Sequence, residues 1–308
     1  MSASPLRIST MVAAGHLGAK PNIQQLFEHG CHIPYWWMGE GIIKMEYNGK
    51  TKGVCSKDLL KRAQSSRSTA VTPVKKHSTF LNQSSFVIRI QHPECPLSWK
   101  EVNIKLFNEG AFQMSGFSSE AMGRLAVTRF IHLNEGRGIW APDSNPTIKA
   151  FKLCNIMAYL KVGHAIRRDR LKTVLREEYS LCAVYEPTIY QGVCTKFFWN
   201  KTRPANIPFG ICVCPKPCKG DGGGYAVGQC KKITISPFRT GSIVVAGAQS
   251  MEQIQDVCTF MVKILETHAA TVLWDPVTAP VAPAPALASS SDVLRVRART
   301  CIRTQIHL

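Results

Sequence analysis

Four cysteines, Cys212-x-Cys214-x3-Cys218-x11-Cys230, stand together in a stretch from Lys201 to Cys230 that is otherwise rich in Pro and Gly. Four thiolates suit a tetrahedral zinc ion, and a loop without a core of its own would gain order from one. The spacing is not the Cys-x2-Cys of common zinc ribbons, so structural zinc, free thiols and a disulfide all stay open. A four-thiolate site has no free position for a substrate, so any metal here would be structural. No glycine-rich phosphate loop, carboxylate cluster or nucleophile–base pair is present, which argues against an enzyme.

The second pattern is a duplication. Phe107, Gly110, Gly116 and Ser119 recur as Phe238, Gly241, Gly247 and Ser250, each 131 positions later. Ile8, Gly15-His16, Ile23, Leu26 and Phe27 answer to Ile156, Gly163-His164, Leu171, Val174 and Leu175, each 148 later. Two blocks in the same order with different internal spacing are expected of a duplicated unit whose copies gained different insertions. The units are placed at 1–140 and 150–274, with a basic insertion at about 56–81 and the cysteine-bearing one at about 201–230.

Each unit reads as strand, helix, several strands, long helix. Arg7 to Val12 and Asn155 to Lys161 open the units as strands. Pro21 to Phe27 and Arg167 to Glu178 follow as helices. Val102, Ile104 and Leu106 alternate with Asn103, Lys105 and Phe107. Ile233 and Ile235 alternate likewise with Thr234 and Ser236, the period of a half-buried strand. Turns at Gly110 and Gly241 lead to further strands, and helices begin at Ser119 and Ser250. One strand face is apolar, and the other shows Asn, Lys, Thr, Ser and Phe, as in an antiparallel sheet with an open face. Ser56 to Leu81 reads as a flexible basic loop, and Cys154, Cys182, Cys194 and Cys258 as small buried hydrophobes. Residues 275–308, an Ala/Pro/Ser linker and an arginine-rich tail, are expected to be disordered.

The charge balance is strongly positive. Among 308 residues, 38 Lys+Arg face 20 Asp+Glu, a net charge of +18, which suits a polyanionic partner. No apolar run reaches membrane-spanning length and the N-terminus lacks an apolar signal core, so an intracellular protein with no membrane role is expected.

Three segments resemble the TATA-box-binding protein family: Asn155-Ile-Met-Ala, Tyr185-Glu-Pro-Thr-Ile-Tyr-Gln-Gly192, and Phe238-Arg-Thr-Gly-Ser-Ile-Val-Val-Ala-Gly-Ala248. The likeness extends more faintly over the first unit through Ile8 to Val12 and Phe107 to Gly116, and is greatest to the TATA-binding-protein-like factors of large DNA viruses. It implies an α+β fold of two tandem pseudo-symmetric repeats forming a saddle. Ten antiparallel strands would present a concave face to the DNA minor groove, with four helices on the convex side.

By the same resemblance, Asn155 and Met157 lie at the centre of the DNA contact, and Phe238 and Phe107 are wedges that open base steps. Tyr190 stands for the second wedge of repeat two. Val244 and Ala246 meet the groove floor, as do Gln113 and Ser115 in repeat one, and Lys196 meets a phosphate. Arg7 stands where the family has its other central asparagine. Gly39, preceded by Trp36, Trp37 and Met38, stands where repeat one should carry a wedge. The implied partners are double-stranded promoter DNA, a factor of the TFIIB type and RNA polymerase, with the chain a monomer on DNA. It would work in the nucleus, or in a cytoplasmic viral factory if viral, with no cofactor required beyond the possible structural zinc. The alternative is a saddle-fold adaptor that has lost sequence-specific DNA binding.

Overall fold

The computed structural model describes residues 3–37, 39–65, 81–93, 95–142, 144–216 and 218–274. The first repeat comprises β1 (Arg7–His16), α1 (Ile23–His29), β2 (Gly41–Tyr47), β3 (Lys50–Gly53), α2 (Ser56–Ser65), β4 (Gln83–His92), β5 (Cys95–Phe107), β6 (Ala111–Phe117) and α3 (Glu120–Leu133). The second comprises β7 (Ala150–Lys161), α4 (Arg168–Glu177), β8 (Cys182–Val184), β9 (Cys194–Trp199), β10 (Lys231–Pro237), β11 (Ser242–Ala248), α5 (Met251–Thr267) and α6 (Ala269–Val272).

All eleven strands form one antiparallel sheet in the order β3-β2-β4-β5-β6-β1-β7-β11-β10-β9-β8. Reading outward from the β1–β7 seam, β6, β5, β4 and β2 on one side mirror β11, β10, β9 and β8 on the other. The ten-stranded, two-repeat saddle expected from the sequence is therefore present. β3 is an eleventh strand, added where Asn48-Gly49 folds the chain back on β2. Of six described helices, α1, α3, α4 and α5 are the expected four, and α2 and α6 are additional.

The alternation in the strands decides which face is covered. Val102, Ile104 and Leu106 of β5, and Ile233 and Ile235 of β10, are buried with Phe130 of α3 and Val257 and Met261 of α5 in one continuous core. Each such side chain fully removed from water contributes about 1.5–3 kcal/mol before entropy is counted. The turns at Gly110 and Gly241 have φ of +86° and +82°. A Cβ there would lie 2.1 Å from Ala19 O and 2.4 Å from Val162 O, so both turns require glycine.

The basic insertion differs from its expectation. Ser56–Ser65 is helical, because Asp58 accepts the Cys55 N–H (3.0 Å) as the third residue of a capping arrangement ahead of good helix formers. Residues 66–80 of that insertion, Met38, and the linker and tail at 275–308 lie outside the described residues. The burial expected of four cysteines holds only for Cys258. Cys182 and Cys194 face away from the helices, and Cys154 falls at a register irregularity in β7, so neither the apolar neighbours nor the strand period buries them.

The long helices share one start signal. Ser119 Oγ accepts the Met122 N–H and Ser250 Oγ accepts the Gln253 N–H, each at 3.3 Å. Replacing Ser250 with Ala should cost about 1 kcal/mol, the usual value of an N-cap. Ser119→Ala should cost no more, because Ser250 Oγ also accepts from the Tyr225 hydroxyl (2.9 Å). Urea unfolding of the two variants checks the magnitude and the order.

Candidate nucleic-acid interface

With the helices on one face, every second strand residue is turned to the other. In repeat two, Met157 (β7), Ala246 (β11), Thr234 (β10) and Lys196 (β9) are register partners in a row across four strands. Three strand spacings place Lys196 about 14 Å from Met157. Lys196 Nζ donates to Thr234 Oγ1 (3.0 Å), which orients it along this surface. A second row runs from Arg7 through Tyr159 and Val244 to Ser236. From β7 outward the rows are apolar or aromatic first and polar or cationic further out, with Arg7 the one cation at the seam end of the second row. The five strands of repeat two contain five lysines and no carboxylate. Two of the lysines, Lys161 and Lys232, also face outward here and were not singled out from the sequence, although their alternation with Leu160 and Ile233 carries the signal.

Asn155 lies beside the seam, opposite Val12. Its Oδ1 accepts the Gly247 N–H at 2.7 Å. Only the amide oxygen can accept from an N–H, so the bond fixes which way the side chain points and leaves Nδ2, with its two hydrogens, as the free donor. Gly247 presents that N–H because it interrupts the register of β11 at φ +102°. In repeat one Gly116 repeats the geometry at φ +100°. The register makes Thr10, and not the Arg7 expected from the sequence, the counterpart of Asn155, because Met11 pairs with Phe117 as Ile156 pairs with Ala248.

Tyr190 and Phe238 form an aromatic pair at the outer end of repeat two, with centroids 5.6 Å apart and planes at 67°. Tyr190 is 43% exposed, and Ile189 beside it is more so. The Tyr190 N–H donates to Glu186 O, and Phe238 is held by its N–H to Ser242 O, both at 2.8 Å. Gly192 packs so closely beneath both rings that a Cβ would meet each at about van der Waals contact or less. Arg168 steadies the segment from the side, donating to Gln191 O (2.6 Å) and lying over the Tyr185 ring.

Repeat one presents a different surface, because α2 lies against it. Lys44 of β2 donates to Asp58 of α2 (3.0 Å) and pairs with Glu46 (2.7 Å), while Ser56 Oγ donates to Glu101 of β5 (2.6 Å). Lys57, Asp58 and Lys61 roof a small cavity whose floor includes Ser85, Asn103 and Ser115. Ser115 thus faces α2, whereas Gln113 and Phe107 stand outside the cavity, Gln113 exposed and Phe107 half-buried at its hairpin. Burial by itself would raise the Asp58 carboxyl, but the Cys55 N–H and the Lys44 ammonium outweigh it and hold the group at about 2. Burial likewise opposes the Lys44 charge, and Glu46 and Asp58 raise its pKa nonetheless. At the outer end, Trp36 and Trp37 are exposed and pack edge to face at 6.2 Å. The buried Arg89 guanidinium pins their turn by donating to Tyr35 O (2.8 Å) and Gly39 O (3.1 Å).

The four cysteines of the second insertion also converge, with all four Sγ atoms within 4.8 Å of one another.

The family match falls on the half that carries the oriented amide and the aromatic pair. Residues 150–268 match the family model of transcription factor TFIID (or TATA-binding protein, TBP). Among solved structures, Methanococcus jannaschii TBP is similar at 16% identity, over 87% of this chain and 99% of its own, with a TM-score of 0.44. No curated protein sequence matches the chain. The TBP match thus coincides with repeat two, from the first residue of β7 to the end of α5.

The ionic seat of α2 has a pH signature. Asp58 is held below the ordinary carboxylate value of about 3.9, so its contribution to docking is whole above that pH and lost as pH falls through about 2. Asp58→Asn should mimic the acid state at neutral pH. Hydrogen exchange should then quicken in the α2 amides while β5 and β10 stay protected; unchanged α2 protection would show that the ion pair does not hold the helix.

Proposed function

We propose that this chain is a transcription initiation factor of the TATA-box-binding type. It binds duplex DNA in the minor groove, chiefly through the open face of repeat two, and bends it. The observation that carries this reading is the fixed amide of Asn155. Its outward group is a donor pair at the centre of the surface, and A·T pairs show only acceptors in the minor groove. Met157, Val244 and Ala246 supply the apolar floor beside it. The groove is about 6 Å wide, so Lys196, well beyond it, falls on the phosphate flank together with Lys161 and Lys232.

Tyr190 and Phe238 are the wedge. A T-shaped pair braced by Gly192 is stiff enough to enter a base step, and the unstacking cost is offset by the surface a bent duplex can reach. Phe107 is the corresponding ring of repeat one, and Arg7 enters the groove near the seam. Glu46, Glu101 and Asp58 put carboxylates on the open side of repeat one, and α2 stands over Ser115, so that half grips DNA less while α2 is seated. The bent complex then recruits a TFIIB-type factor and RNA polymerase, in the nucleus or, for a viral factor, in a cytoplasmic factory. The protein acts by binding and not as an enzyme. The covered face of repeat one also favours a second reading, an adaptor that keeps the saddle without specific DNA binding.

Gel shifts with A·T-rich and G·C-rich duplexes over a salt series separate the two. The factor should prefer A·T, and three lysine–phosphate contacts alone give a slope of about −2.7 in log K against log[salt]. Lys196→Ala should flatten the slope by about 1 without changing the preference. Phe238→Ala should reduce the bend seen by fluorescence transfer between duplex ends more than it reduces encounter. An unchanged bend would remove the wedge role, and no binding at all would leave the adaptor.

A further inference from the structure

The geometry points to a structural zinc site: one Zn2+ held tetrahedrally by the thiolates of Cys212, Cys214, Cys218 and Cys230. Four thiolates at about 2.3 Å from a tetrahedral zinc lie about 3.8 Å apart. Here the four sulfurs fall within 4.8 Å of one another, with Cys212–Cys218 at 3.2 Å and Cys214–Cys230 at 3.5 Å. Two disulfides would draw the sulfurs into pairs near 2.05 Å, and none of these cysteines is so joined.

The surroundings are those of a metal seat. The buried Asn200 donates to Cys230 Sγ (3.8 Å), while its Oδ1 accepts from Thr202 (2.8 Å) and so keeps the amide turned toward the sulfur. Such a donor spreads the charge of a four-thiolate site and orients its ligands. The segment also needs a fastener. From Lys201 to Gln229 no hydrophobic side chain is fully buried among the described residues; Phe209 and Ile211 pack partly against the core, ahead of the cysteines, while the stretch from Cys212 on holds its course against the start of α5 with no such anchor. Gln253 donates to Gly223 O (2.8 Å), and Tyr225 packs on Trp199 with centroids 5.1 Å apart. Cys230 directly precedes β10, so the ion ties this loop to the strand that carries Thr234. With four thiolates the shell is closed, and its role is to order the loop.

The test uses the full chain, purified without added metal and assayed for zinc by plasma mass spectrometry. One zinc per chain is expected, lost in Cys214→Ser and Cys218→Ser and kept in Cys182→Ser. Asn200→Ala should weaken zinc about tenfold, the usual effect of losing a supporting contact. Chelation should speed tryptic cleavage after Lys219, and added zinc should reverse it. Where a serine variant does not fold, the wild-type metal content and the absorption of a cobalt-substituted sample as tetrahedral tetrathiolate decide. A metal-free wild type with four freely alkylated thiols, a mass showing disulfides, iron in place of zinc, or equal loss in Cys182→Ser would overturn the proposal.

Discussion

The pairing of β1 with β7 is the interaction on which the rest depends. It joins two half-sheets that would otherwise each end in an unpaired strand, and it does so through nine paired positions, from Arg7↔Tyr159 to His16↔Ala150. Side chains in a strand alternate strictly, so a one-residue slip at this seam would turn Asn155 and Met157 into the core and Ile156 out of it. Two bulges within the pairing, at Ser9 and at Cys154, bend the seam without losing that sense. Every distance across the open face, from the central amide to the flanking lysines and the aromatic pair, is measured from this register.

Two repeats of common design have come to present different open faces. The covered faces remain alike, because both must bury the same alternation under a long helix with a serine cap. The open faces had no such obligation. In repeat two the uncovered strands carry lysine and no carboxylate, and the central asparagine is held by a backbone donor. In repeat one the matching position is Thr10, and an insertion has laid a helix over the strands with Glu101, Asp58 and Lys44 as its fastening. Symmetry is kept where packing enforces it and lost where only a ligand would.

How much of this could be read in the sequence follows the same division. The duplication, the alternation of β5 and β10, the glycine turns and the serine starts of α3 and α5 are local or periodic signals, and they place the frame correctly except at the opening strands, where the register matches Met11 to Ile156, a spacing of 145 and not 148. The short outer strands β8 and β9 and the early part of β7 lack such periods and depend on neighbours. Phe151, for instance, is in β7 because it packs against Phe112 and Phe117 on the other repeat. α2 was hidden by composition, since a stretch rich in Ser, Lys and Arg resembles a loop until Asp58 is seen to cap it. Its position on the open face was beyond sequence altogether, being decided by Glu101 and Lys44, 45 and 14 residues away. The fit of Asn155 to Gly247 was likewise invisible, although both residues belong to motifs that stood out singly. The convergence of four cysteines was foreshadowed by their clustering, while the donor beside them was not.

The strand that exceeds the ten has a consequence for company. An open sheet of this width has two edges, and an edge of unpaired amides invites another chain. At one end β8 is only three residues long. At the other, β3 is Lys50-Thr-Lys-Gly53, four residues in which Lys52 is drawn back to Phe27 O (2.7 Å) and over the Phe27 ring, closing the end of α1. A second molecule seeking to extend the sheet there would find a short ledge, a solvated lysine and a glycine with left-handed backbone. The saddle therefore terminates itself, and its long row of strands does not become a template for fibres.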